Sequence, residues 1–368
     1  MNFDALKELI DYGCKEKDIP CVDLIVSHNN EIVFRYMTGT RDDDKKLPIK
    51  GDELYFLYSA SKPITCTAAL QLYEKELIGL DDYVYKYLPE FKDMKVRTAD
   101  GLSDAKNHIT IKNLFTMTSG LDYNLESPSI LEQLRENPNS STLDIVRAIA
   151  KEPLQFNPGD HYLYSLSHDV LAAVVEVVSG MRFEDYVKKN IYDVCGMSST
   201  TMTVTDDVLD RICSQYMFNA ATDTASLMAK ENPYIFTSNY HSGGAGMISC
   251  ADDYIKFAAA MANGETLLKK ETIALMSQDH LTPEQFADFS PMKPGYTYGL
   301  GVRTNVSSDF SEKGEFGWDG AAGSYTIMDP KNHIAVFYGT HVKNHGDFLY
   351  MKHHMDIRDE IYKVLLNK

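Results

Sequence analysis

Long hydrophobic runs, clustered cysteines and an excess of basic residues are all missing from this chain, and each absence removes a class of function. No stretch approaches the roughly 20 apolar residues a membrane-spanning helix needs. The longest apolar helix candidate, 170–178, is interrupted by Glu176. The segment Met1–Ile10 carries acids and an amphipathic period without a basic start or a long apolar core, so it does not read as a secretory signal. Cys14, Cys21, Cys66, Cys195, Cys213 and Cys250 are scattered, with no C-x-x-C pair and no disulfide-dense spacing. They read as reduced thiols, mostly packed as small apolar residues, in a cytoplasmic protein. Lys and Arg number 36 against 53 Asp and Glu, a formal net charge of −17. Such a surface repels phosphate backbones and anionic lipid, so neither nucleic acid nor a membrane is expected as a partner. A G-x-S-x-G elbow is also missing, which argues against an α/β-hydrolase with a Ser-His-Asp triad.

What remains is an ordinary globular composition, 44% apolar and 24% charged over 368 residues. That length suits two domains, or one large α/β domain with an insertion. Residues 1–18 read as an amphipathic helix. Segments 22–26 and 32–36 are rich in β-branched and aromatic residues and flank a turn composition, which predicts a hairpin. Helical patterns dominate the middle of the chain to about residue 235, at 64–73, 109–117, 143–151, 168–178 and 183–190. Helices follow at 252–263 and 269–278. Strand patterns return at 298–304, 324–328 and 334–340, and 348–366 closes the chain as an amphipathic helix. The economical arrangement is α/β (α+β): an antiparallel sheet flanked by helices and built from both termini, with a mostly helical inserted subdomain. Residues 1–60 and 236–368 would form the sheet part and 61–235 the helical part, with the active site at their junction.

Three S-x-x-K pairs occur: Ser59/Lys62, Ser103/Lys106 and Ser290/Lys293. A serine hydroxyl is a weak nucleophile until a base takes its proton, and a lysine one helical turn away can help if its pKa is depressed. Ser103/Lys106 lies in a polar stretch, and Pro291 and Pro294 leave no helix to hold Ser290/Lys293. Ser59/Lys62 alone follows an apolar run and opens an apolar helix, where free backbone N–H groups can receive a developing oxyanion. By itself Ser59 reads equally well as a helix N-cap. Tyr164 follows a Pro158-Gly159 turn and precedes the helix at 168. To act as a base near neutrality it needs its pKa lowered by roughly three units, about 4 kcal/mol, which a nearby Lys62 ammonium could supply. A packed core tyrosine is the alternative. The third piece is Trp318-Asp319-Gly320-Ala321-Ala322-Gly323, whose small residues let a strand edge approach another backbone or a ligand, or else mark a tight bulge. His341 and His345 are four apart, but with no H-E-x-x-H arrangement and Gly346 breaking the helix, no metal is expected.

In order and spacing, Ser59-Ala60-Ser61-Lys62, Tyr164-Ser165 and Trp318-Asp319-Gly320 resemble the serine β-lactamase-like hydrolases: class C β-lactamases, D-alanyl-D-alanine peptidases and related esterases. Residues 109–121, 243–249 and 298–301 frame them in the same way, so the resemblance covers nearly the whole chain. It implies that Ser59 is the nucleophile, Lys62 its helper and Tyr164 the base that relays the proton to the leaving group. It also implies an oxyanion hole from the backbone N–H groups of Ser59 and Ala321, and no cofactor. Two departures bear on substrate. Leu166 stands where β-lactamases have Asn, and Trp318 where they have Lys. These replacements remove polar partners of a β-lactam, and Asp319 adds a negative charge, so Leu166, Trp318, Asp319 and Gly320 are expected to line a site for small neutral esters. A weak β-lactamase, a D-amino-acid peptidase or amidase, an acyltransferase using another acceptor than water, and a non-catalytic binding protein are the alternatives.

Overall fold

The computed structural model describes residues 1–306, 311 and 313–367. The chain begins with α1 (Asp4–Glu16), then the hairpin β1 (Cys21–His28) and β2 (Glu31–Gly39), and the short strand β3 (Tyr55–Phe56). A single 3₁₀ turn leads into α2 (Lys62–Glu74). The hairpin β4 (Lys95–Thr98) and β5 (Gly101–Asp104) precedes α3 (Ile111–Phe115), α4 (Pro128–Glu136), α5 (Thr142–Ile149) and α6 (Ser167–Ser179). Next come α7 (Phe183–Val187), α8 (Asp193–Cys195), α9 (Asp206–Arg211), the hairpin β6 (Gln215–Asn219) and β7 (Thr224–Met228), and β8 (Ile248–Ser249). Helices α10 (Ala251–Asn263), α11 (Lys270–Met276) and α12 (Pro283–Phe289) lead into β9 (Tyr296–Tyr298), β10 (Arg303–Asn305), β11 (Phe316–Gly317), β12 (Tyr325–Asp329), β13 (Ile334–Gly339) and β14 (Val342–Lys343). The chain closes with α13 (Gly346–Phe348), a π-helical turn and α14 (His354–Leu366).

Seven strands form one antiparallel sheet in the order β2-β1-β13-β12-β11-β10-β9, so the two ends of the chain do build it together. Its central strands are covered on both faces. Val22, Leu24 and Val26 of β1 join Val336 and Tyr338 of β13 against α1 and α14. Ile25 and Phe337, which are register partners, turn the other way, toward α10. The period-2 alternation of a strand thus feeds two cores. The larger core is helical: Ile64, Ala68 and Leu72 of α2 pack with Val170, Leu171 and Val174 of α6. Because α2 is buried nearly all round, it shows no amphipathic stripe. Among the described residues no helix is long and apolar enough to cross a membrane.

Several elements differ from expectation. The expected strand 298–304 is two strands, β9 and β10, joined through Gly299–Gly301. A Cβ on Gly299 would stand 2.1 Å from the Met276 carbonyl oxygen, and one on Gly301 (φ +83°) 2.1 Å from Cys66 Sγ, so this turn is pressed onto α11 and α2. The hairpins β4–β5 and β6–β7 lie in the stretch read as mostly helical, and β6 pairs in parallel with β14. Helix α12 begins with a Thr282/Gln285 capping box and Pro283 in its first turn, a start signal the hydrophobic pattern did not reveal.

Candidate active site

The turn that carries Ser59 is shaped by strain. Tyr58, a buried aromatic residue, has φ +48°, a conformation bulky L-residues rarely adopt. It is held there because Leu57 N–H donates to the Met247 carbonyl at 2.9 Å and the Tyr58 hydroxyl donates to Gln215. The chain therefore leaves β3 abruptly and enters the 3₁₀ turn Tyr58–Ser61, with Ser59 half-buried and Lys62 opening α2.

Lys62 is wholly buried, and its ammonium nitrogen is the hub of the site. Nζ lies 3.1 Å from Ser59 Oγ, 2.8 Å from the Gly244 carbonyl oxygen and 3.5 Å from the Tyr123 hydroxyl. It also sits over two rings, 4.5 Å from the centre of Tyr164 and 5.5 Å from that of Tyr123. Burial pulls its pKa down to about 7, with the charge of Asp169 and a smaller effect of Cys66 opposing. A neutral amine whose N–H groups are taken by Gly244 O and the Tyr123 hydroxyl has its lone pair left for the Ser59 proton.

Tyr164 is sandwiched between Tyr123 and Trp318, at ring separations of 5.5 and 5.6 Å. Trp318 Nε1–H donates to its hydroxyl at 3.0 Å. The expectation of a lowered tyrosine pKa is corrected here. Burial pushes the Tyr164 phenol up, with hydrogen bonding to Ser59 and Trp318 only partly offsetting it. The reason is desolvation, which acts on both groups and makes Lys62, over the ring face, the one brought close to neutrality.

Opposite Ser59 runs the turn after Trp318. Gly320 N–H donates to Ser324 O at 2.7 Å, Gly323 N–H to Gly320 O at 2.9 Å, and Ser324 Oγ to Leu57 O at 3.2 Å. The last bond ties this turn to the residue two before Ser59. Gly320 permits the approach: a Cβ there would stand 2.2 Å from the Leu57 carbonyl oxygen. The close backbone approach expected of the small residues is thus present. Ser59 and Ala321 line the same cavity, and among the described residues no hydrogen bond engages the N–H of either. The cavity, about 360 Å³, is completed by Tyr164, Met292, Trp318 and Tyr350.

Ser59, Lys62, Tyr164, Trp318, Asp319, Gly320 and Ala321 are therefore gathered in one place. Leu166 is not: it is buried in the helical core at the start of α6, away from the cavity wall. Asp319 does line the cavity, but not as a free negative charge. Lys293 pairs with it, and Arg303 Nη1 lies 3.6 Å from its other oxygen. Against the cost of burial, these two cations hold its carboxyl below the usual range. Lys293, set aside because no helix could hold it with Ser290, reaches the cavity as an ion-pair partner instead. Ser103 stays on the exposed strand β5. His341 and His345 have separate packing roles, the first bonded to Cys213 O and the second stacked on Phe218.

Sequence reasoning passed over Tyr123 and Asp169. Asp169 Oδ1 accepts from the Tyr240 hydroxyl at 2.7 Å and Ser242 Oγ at 2.6 Å, fixing the loop whose Gly244 carbonyl holds Lys62. An acid in the first turn of a mostly apolar helix was the signal available for it.

A family model described as Beta-lactamase matches residues 6–357. Esterase EstB of Burkholderia gladioli is 28% identical over 369 residues, covering 93% of this chain and 91% of its own. The lovastatin esterase of Penicillium rubens is 28% identical over 294 residues, covering 74% of this chain and 73% of its own. Among solved structures, EstCE1, described as a hydrolase with promiscuous acyltransferase activity, superposes with a TM-score of 0.81 at 25% identity, over 97% of each chain.

Proposed function

The chain belongs to the beta-lactamase family, and we propose that within it this hydrolase is an esterase that acts on small neutral esters through an acyl group carried on Ser59. The observation that carries the reading is the contact of 3.1 Å between Ser59 Oγ and the nitrogen of a lysine whose pKa lies at about 7. Near neutrality a good fraction of Lys62 is unprotonated and able to take the Ser59 proton as Oγ attacks the ester carbonyl. The tetrahedral oxyanion is received by the N–H groups of Ser59 and Ala321. Tyr164, protonated throughout this range, gives its phenolic proton to the departing alkoxide and is recharged from Lys62. The acyl-Ser59 ester is then opened by water through the same steps in reverse.

The choice of ester rests on the cavity. Its walls are largely apolar, Trp318 stands against Tyr164, and the one carboxylate beside Trp318 is already paired with Lys293. A β-lactam carboxylate brought into this space finds Lys293 committed to Asp319, and desolvating it costs several kcal/mol. Two similar proteins are named as esterases, and EstCE1 is described as having acyltransferase activity. Transfer of the acyl group to an alcohol in place of water needs no new residue, so both acceptors are open to the same site. Labelling with a serine-directed fluorophosphonate, followed by peptide mass spectrometry, tests the core of the reading. The adduct is expected on Ser59, and an unlabelled Ser59 in folded protein would overturn it.

A further inference from the structure

The active-site cavity contains a charged donor that the chemistry above leaves unused. Lys293 follows α12, and its side chain is only 11% exposed in the wall beside Met292 and Tyr350. Its ammonium is bonded to Asp319 Oδ2 and lies 4.8 Å from the centre of the Tyr350 ring. That ring is fixed in turn, because the Tyr350 hydroxyl donates to the Gly320 carbonyl at 2.7 Å. An ammonium has three N–H donors, and one carboxylate oxygen occupies one of them. The lysine is therefore a fixed donor with unspent capacity in the cavity wall.

Charge balance decides what it donates to. Asp319 faces a second cation, Arg303, at 3.6 Å, and Arg303 is shared with Glu315 at 3.5 Å. Arg358 also acts on Glu315 and is itself paired with Asp359 at 2.7 Å, so Lys293, Arg303 and Arg358 are set against Asp319, Glu315 and Asp359, and a further carboxylate, Asp347, lines the cavity. No net positive field remains to draw in an anion. A neutral oxygen can accept from Lys293 without disturbing this balance. A saturated chain cannot, and it would leave the remaining N–H groups of Lys293 desolvated without a new acceptor.

Building on the esterase reading, we propose that Lys293 is a specificity residue that donates a hydrogen bond to a neutral oxygen carried several bonds from the scissile ester. Preferred substrates are then oxo- or hydroxy-substituted esters, in preference to plain alkyl esters or those ending in a carboxylate.

The test uses length-matched pairs on the whole protein. p-Nitrophenyl pentanoate against p-nitrophenyl 4-oxopentanoate places the oxygen on the acyl side, and pentyl acetate against 4-oxopentyl acetate places it on the alcohol side. The p-nitrophenyl monoester of glutaric acid supplies a carboxylate. In at least one pair the oxo ester is expected to have kcat/KM about tenfold higher, equivalent to roughly 1.4 kcal/mol. The glutarate ester is expected to be the poorest of the acyl series. Lys293→Met should bring the pair ratio close to one, and Lys293→Arg, which keeps a donor, should retain most of it. If Lys293→Met fails to fold with Asp319 left under-paired, the double variant Lys293→Met/Asp319→Asn removes both charges and reads the same ratio. Equal turnover within both pairs, a preference that survives Lys293→Met, or a preference for the glutarate ester would overturn the proposal. Failure of every ester to turn over would overturn the esterase reading and this inference with it.

Discussion

The pH dependence of ester hydrolysis is the sharpest consequence of the geometry around Lys62. The amine must be unprotonated to take the Ser59 proton, and burial sets its pKa at about 7. Log kcat/KM should therefore rise with unit slope on the acid side and level off above pH 7 to 8. At pH 5, two units below the midpoint, about one molecule in a hundred has a neutral Lys62, so kcat/KM should be roughly 100-fold below its plateau. A Tyr164 base would instead put the rise above pH 10, because burial pushes that phenol up. A carboxylate base would put it near pH 4 to 5. The profile thus separates three assignments by where it bends. The charge of Asp169 works against burial and keeps the Lys62 pKa from falling further. Asp169→Asn should accordingly move the midpoint to lower pH by about one unit, the order expected for losing one nearby opposite charge. The assay is stopped-flow or steady-state hydrolysis of a p-nitrophenyl ester between pH 4.5 and 9, corrected for p-nitrophenol ionisation. A flat profile across that range, or a midpoint below pH 5, would refute the assignment of Lys62 as the base.

Ser59→Ala should cost about 10⁴-fold or more in ester turnover, with Ser103→Ala nearly silent, as read by steady-state kinetics. Tyr164→Phe keeps the ring stacked between Tyr123 and Trp318 but removes the proton donor, and should lower kcat by roughly 10²- to 10⁴-fold with little change in melting temperature. Gly320→Ala drives a Cβ to 2.2 Å from the Leu57 carbonyl oxygen, so the turn bearing Ala321 must shift; a loss of about 10²-fold, mostly in kcat, is expected. Lys62→Met should be inactive yet more stable at pH 6, by a few kcal/mol at most. The sign follows from a folded pKa of about 7 against roughly 10.4 unfolded: the penalty of a buried ammonium is complete below pH 7 and fades as pH rises toward 10.4. Urea unfolding at pH 6 and pH 10.5 reads the difference, which should shrink at the higher pH.

How much of this was legible in the sequence depends on whether the information is local. Ser59 and Lys62 are one turn apart on a helix that an apolar run leads into, so spacing alone brings them together. The hairpin β1–β2 and the strands β12 and β13 declare themselves by β-branched runs closed by turns. Gly320 was legible as a place of close approach, although only the fold reveals the Leu57 carbonyl as what it approaches. The hairpin β4–β5 was not legible, because three of its four residues in β4 and all four in β5 are exposed and no alternation marks them. In β6 the alternation is present at Met217 to Asn219, but the strand is short and its partner β14 lies more than a hundred residues away.

The electrostatics of the site were the part least available, and the reason is specific. Whether a lysine depresses a tyrosine or is itself depressed depends on where its nitrogen lies relative to the ring and how much water reaches each. Lys62 lies over the Tyr164 face in a closed space beside Tyr123 and Gly244, so desolvation acts on both groups, pulling the ammonium down and pushing the phenol up. The same holds for Asp319. Read along the chain it is a free acid beside Trp318, yet Lys293 arrives from 26 positions earlier and Arg303 from the neighbouring strand to neutralise it. A motif fixes which groups meet at a reaction centre. The folded surroundings fix their protonation, and on the proposed mechanism that sets the direction in which the proton moves: from Ser59 to Lys62 first, and from Tyr164 to the leaving oxygen after.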